Sequence, residues 1–105
     1  MRILLDEGVP IQIRGAISNH DVTNKTAQRW SSMKNGELLA RTEGSFDLFI
    51  TCDQNLKYQQ NLRDRTLAIL ELSSNKRRMI EQNFERISEA VSRSEKGSFI
   101  SLDLL

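Results

Sequence analysis

The chain is predicted to fold as an α/β domain, a three-layer α/β/α arrangement around a mostly parallel, five-stranded sheet. Short apolar runs at residues 2 to 6, 46 to 52 and 66 to 72 have the length and residue types of buried strands. Helical signals separate these runs. The clearest is Ile80, Phe84, Ile87 and Val91, which fall at i, i+4, i+7 and i+11 and form one apolar stripe. Strand and helix alternating in this way call for parallel pairing, right-handed crossovers and helices on both faces of the sheet.

In chain order, residues 2 to 6 form the first strand, after which Gly8 and Pro10 punctuate. Pro10 opens a short helix whose partial apolar face is Ile11, Ile13, Ala16 and Ile17 and which ends near Asn19. Val22 and Thr23 mark a brief second strand, and the polar stretch from Asn24 to Lys34 reads as a loop. Asn35 serves as N-cap of a second helix, with Gly44 past its end. A strand follows over 46 to 52, then a helix from Gln54 to about Leu62, then a strand over 66 to 72. Ser73, Ser74 and Asn75 supply the cap of the last helix, which Gly97 terminates, and residues 98 to 104 alternate like an edge or terminal strand.

At 105 residues the chain is the size of one domain. No apolar run approaches the roughly 20 residues that span a bilayer. The first residues turn acidic after three apolar positions, too soon for a signal-peptide core, so a cytoplasmic location is expected. A net charge of +1, from 15 basic and 14 acidic residues, gives no overall field for nucleic acid, so any such contact must be local. The single cysteine, Cys52, lies in an apolar strand and reads as a small hydrophobe.

Asp6 and Asp53 are the most informative residues, because each is a carboxylate at the carboxyl end of an apolar strand. Parallel strands line up those ends along one sheet edge, where ligands bind in α/β proteins. Carboxylates brought together repel one another, and a hard divalent cation, Mg²⁺ or Mn²⁺, cancels the repulsion.

Three motifs carry a resemblance. Ile3-Leu4-Leu5-Asp6-Glu7 with Pro10, then Asn35-Gly36-Glu37-Leu38-Leu39, then Ile50-Thr51-Cys52-Asp53-Gln54-Asn55-Leu56 together resemble the DUF5615 group of PIN-like domains over nearly the whole chain. The resemblance implies a compact Rossmann-like fold, Mg²⁺- or Mn²⁺-dependent hydrolysis of RNA, and a toxin role opposed by a small antitoxin protein. It makes Asp6, Glu7, Glu37 and Asp53 the catalytic acids, with Asp6, Asp53 and Glu37 on the metal. Thr51 matches the hydroxyl beside the metal. Where the family commonly has an aspartate this chain has Asn35, with Glu37 the nearest carboxylate, and Asn55 replaces a second acid after the third strand. Those departures leave fewer charges to hold metal, so an inactive PIN-like interaction module is an alternative, and the oligomeric state, a homodimer included, stays open.

Local groups suited to phosphate contact are Arg29 and Lys34, beside Trp30, and Lys57 after Asp53. Lys76, Arg77 and Arg78 form a basic cluster at the start of the last helix, the best local candidate for a phosphate or acidic-partner contact, with an ordinary solvated face the favoured reading. Each acid also has a bland reading, since Asp and Glu at strand ends cap helices and turns. A receiver-like signalling domain would use Asp6 and Glu7 as its acid pair and Asp53 as phosphoacceptor. It would also need a lysine after the last strand, and none follows here.

Overall fold

The computed structural model describes residues 1–24, 35–54 and 66–104. Five strands form one sheet: β1 (Arg2–Leu5), β2 (Asp21–Asn24), β3 (Leu48–Thr51), β4 (Ala68–Leu72) and β5 (Phe99–Leu102). Their spatial order is β2-β1-β3-β4-β5 and every pairing is parallel. The predicted α/β class and parallel sheet are therefore observed. Burial follows from the sequence, for β3 and β4 are buried at every position, as strands covered on both faces must be.

One face carries the larger core. Ile3 and Leu5 of β1, Ile50 of β3 and Leu70 and Leu72 of β4 pack there against Ile13 and Ile17, and against Ile80, Ile87, Ala90 and Val91. The opposite face carries Leu4, Phe46, Phe49, Leu67 and Ile69, with Phe99 packed against them. Helix α1 (Asn35–Ser45) leads into this second cluster through Phe46, whose N–H donates to the Thr42 carbonyl at 2.8 Å.

Four local expectations are corrected. The segment opened by Pro10 is a 3-10 helix, Ile11–Ala16, with i to i+3 bonds such as Ile13 N–H to Pro10 O at 3.1 Å. Its β-branched isoleucines and Gly15 are weak α-formers, so the tighter turn competes successfully. The last helix is two, α2 (Arg77–Gln82) and α3 (Phe84–Arg93). Asn83 interrupts it, donating its side-chain N–H to the Met79 carbonyl at 2.7 Å in place of a continued ladder. Lys76 stands at the N-cap of α2, and Ser74 contributes by accepting the Lys76 N–H at 3.1 Å. Gly44 lies inside the last turn of α1 instead of beyond it. The expected helix from Gln54 to about Leu62 falls largely outside the described residues, as does the Lys25 to Lys34 part of the expected loop.

The crossovers also depart from expectation. The 3-10 helix, between β1 and β2, and α2 with α3, between β4 and β5, cover the same face. Those two connections run in opposite directions along the sheet. Two crossovers that share a face and run in opposite directions have opposite hands, so one is left-handed, against a right-handed preference of about 98%. Coverage gives the reason. A six-residue 3-10 helix cannot shield that face alone, and α2 and α3 complete it.

Candidate functional site at the carboxyl edge of the sheet

From β1 the chain crosses toward β2, and from β3 it crosses toward β4, so the order reverses between β1 and β3. A crevice opens at such a reversal, outside the carboxyl ends of the strands. Asp6 follows β1 and Asp53 follows β3 within two residues, which puts both at the carboxyl edge of the sheet beside that reversal.

Thr51 joins them. Its hydroxyl donates to Asp6 Oδ2 at 2.8 Å and accepts the Asp53 N–H at 3.0 Å. Thr51 is fully buried, so this hydroxyl is fixed by the core beneath it. The Asp6 N–H donates to the Ile50 carbonyl at 2.9 Å, extending the ladder past β1, and Asp6 Oδ1 accepts the Glu7 N–H at 2.9 Å. Both carboxylate oxygens of Asp6 are therefore oriented. Glu7 itself is exposed at the crevice mouth. A cavity of about 200 Å³ lies on the β2 side of Asp6, lined by Leu5, Asp6, Glu7, Val9, Ile11 and Asn24. A larger one, about 510 Å³, opens at the other edge beside Arg2, Asp47 and Lys96, away from Asp6 and Asp53.

Cys52 sits between the two acids in sequence. Burial, and then the negative charge of Asp6, push its thiol up to about 11. The thiol points to the Ser74 carbonyl at 3.4 Å. A thiol that stays protonated at neutral pH is a poor nucleophile. On the far side Gln54 Nε2 donates to the Leu72 carbonyl at 2.6 Å and ties the end of β3 to that of β4.

Of the other sequence-predicted residues, Glu37 is exposed in the first turn of α1. Asn55, Lys57, Lys34 and Arg29 lie outside the described residues. Ser73, which a receiver-like site would need at the end of β4, instead accepts the Leu104 N–H at 2.8 Å.

Sequence reasoning missed one residue. Glu71 in β4 is 1% exposed, accepts the Ser101 hydroxyl on Oε1 at 3.1 Å, and leaves Oε2 buried with no hydrogen-bond partner among the described residues. A signal was present: Glu71 is the lone charge in the apolar run Ala68-Ile69-Leu70-Glu71-Leu72.

The donor chemistry suits a divalent ion in part. Asp6, Asp53 and the orphaned Glu71 oxygen are hard oxygen donors, and Mg²⁺ is usually held by one or two carboxylates plus substrate. Among the described residues no three or more His, Cys, Asp or Glu side chains converge at metal-holding distance. The described residues thus fit a partly hydrated ion and not a closed protein cage. Compared with known proteins, the chain matches no family model, no curated protein and no solved structure.

Proposed function

We propose that the protein is a Mg²⁺- or Mn²⁺-dependent ribonuclease acting at the carboxyl edge of its sheet, with a small antitoxin protein as partner. The observation that carries the reading is the Asp6 and Asp53 pair, linked through one buried threonine hydroxyl at the strand-order reversal. The PIN-like resemblance of the three motifs supports the same reading. Asp6 and Asp53 would hold the ion, Thr51 keeps the Asp6 carboxylate aimed at the crevice, and Glu7 or Glu37 would orient the attacking water by accepting its proton. A bound divalent ion supplies charge stabilisation to the phosphoryl oxygens and makes water a stronger nucleophile.

The test is cleavage of a fluorogenic single-stranded RNA. Activity with Mn²⁺ or Mg²⁺, abolished by a chelator and reduced about 100-fold or more in Asp6→Asn and Asp53→Asn, is the expected result. No metal-dependent cleavage by the wild-type chain, with or without prior removal of bound partner, would end the nuclease reading. The receiver-like alternative loses support from the geometry, since Ser73 is engaged with the chain end and Asp103 and Leu104 follow β5 where a lysine is needed.

A further inference from the structure

We infer that Lys76 and Arg78 grip the backbone of single-stranded RNA, holding phosphates next to the one that Asp6 and Asp53 take. The inference rests on the function proposed above and deepens it, by naming what holds the RNA beside the acids. In sequence the cluster is only a basic run at the start of a helix. The fold gives it a place. β4 runs parallel to β3, and β3 to β1, so Ser73, Ser74 and Asn75 leave β4 at the same carboxyl edge as Asp6 and Asp53. Two hydrogen bonds tie that exit to the end of β3, from Cys52 Sγ to the Ser74 carbonyl at 3.4 Å and from Gln54 Nε2 to the Leu72 carbonyl at 2.6 Å. Lys76 follows Ser74 after a single residue, at most about 7 Å further along the chain. α2 then packs against the 3-10 helix that follows β1, which keeps it on the β1 side of the β4-to-β5 crossover.

The fold itself gains nothing from these cations. α2 has no acid in its first turn and no side-chain cap at Lys76, so Lys76, Arg77 and Arg78 stand where the helix dipole disfavours positive charge. α3 keeps the rule that α2 breaks, with Glu85 in its first turn and Arg93 in its last. Arg77 recovers a partner in Glu81, one turn on, at 2.8 Å. Among the described residues Lys76 and Arg78 form no ion pair, and both side chains are exposed. They are open to an anion from outside. The six-residue helix supplies their placement only, and the binding groups are the two side chains. Single-stranded RNA is the anion that fits, because it carries a phosphate at every nucleotide: with one phosphate at the acids and their ion, its neighbours fall across the end of β3 toward the exit of β4. An acidic polypeptide brings no phosphodiester for that ion and meets Asp6, Glu7 and Asp53 as like charges.

Fluorescence anisotropy of a labelled oligouridine, at low salt and in a chelator so that no metal-dependent cleavage occurs, tests the inference on wild type, Lys76→Gln, Arg78→Gln and Lys96→Gln. Lys96 is the control, an exposed lysine before β5 at the opposite edge of the sheet. Lys76→Gln and Arg78→Gln should each weaken binding roughly threefold to tenfold and lower the slope of log affinity against log salt by about 0.7 to 1, while Lys96→Gln moves neither. Their melting temperatures should equal or slightly exceed that of wild type, because a charge opposed to the dipole is removed. A lowered melting temperature would show a structural role for these cations and overturn the inference. So would equal weakening in all three variants, unchanged binding in Lys76→Gln and Arg78→Gln, or no RNA binding by wild type. Tighter binding of labelled polyglutamate than of RNA, dependent on the same two residues, would replace the RNA with an acidic protein partner. Cleavage of the RNA by wild type with Mn²⁺ is scored separately. If binding follows the expected pattern and no cleavage occurs, the nuclease reading fails and the RNA grip stands; if cleavage occurs and the two variants bind as wild type does, only the grip fails.

Discussion

Thr51 uses one hydroxyl twice, as donor to Asp6 and as acceptor from the Asp53 backbone, and that double use makes the crevice a defined geometry. Asp6 and Asp53 were legible in sequence because strand-terminal acids follow apolar runs, and Thr51 was reached through the motif resemblance alone. Glu71 was not, since an acid inside a strand looks like a break in the pattern until burial and register are known. Another carboxylate, Asp47, shows what an ordinary structural acid does here. It accepts the Arg2 N–H at 2.8 Å and the Arg2 guanidinium at 3.4 Å. The Arg2 backbone bond first, then the side-chain bond, hold the Asp47 carboxyl below its ordinary value of 3.8. A depressed acid stabilises the fold above the unfolded-state value and loses that contribution as pH falls through the folded one. Both side chains are about half exposed, so screening keeps the effect below about 1 kcal/mol. Asp47→Asn should therefore be slightly less stable than wild type at pH 7, and the gap should close as the pH falls below the ordinary carboxylate value and through the lowered one. Urea midpoints measured from pH 7 down to pH 2 check this, and a gap that widens in acid would contradict it.

At the scale of elements, the apolar stripe located the last helical region correctly but concealed its division. Ile80, Ile87 and Val91 are buried as the period demands, yet Asn83 splits them between α2 and α3. Local hydrogen bonding by an asparagine side chain carries no periodic signature, which is why the stripe reads as continuous. The 3-10 helix and α3 meet at Gly15 and Phe84. A Cβ on Gly15 would come within 2.6 Å of Phe84 Cε2, closer than atoms can approach, so the ring must move. Phe84 is partly exposed and can yield, which limits the penalty. Gly15→Ala should cost about 1 to 2 kcal/mol in urea unfolding. In a Phe84→Ala background the same change should cost nearly nothing, because the clash is gone. Equal costs in both backgrounds would place the effect in the backbone of the 3-10 helix and not in this contact.

At the scale of the whole molecule, the parallel sheet was readable from alternation, while strand order and crossover hand came only from long-range packing. The order β2-β1-β3-β4-β5 makes the crevice, and the edge it forms is acidic in a chain whose net charge is only +1. Such a chain lacks the general attraction by which basic proteins hold RNA, so under the proposed ribonuclease function substrate grip would come from the ion and local cations, of which Arg29, Lys34 and Lys57 are the sequence candidates. The same edge invites inhibition. An arginine or lysine from a partner, inserted beside Asp6 and Asp53, would form charge-assisted bonds to the carboxylates that the ion requires. Partner and ion then compete, and by linkage each weakens the other to the same degree. For the proposed antitoxin partner, the measurement is the affinity of whatever small protein the neighbouring gene encodes, titrated with and without millimolar Mn²⁺. Binding should weaken about tenfold with Mn²⁺, and also in Asp53→Asn, where the partner's cation loses its counter-charge. Affinity unmoved by both changes would mean that the partner docks elsewhere and that the crevice is not what it blocks.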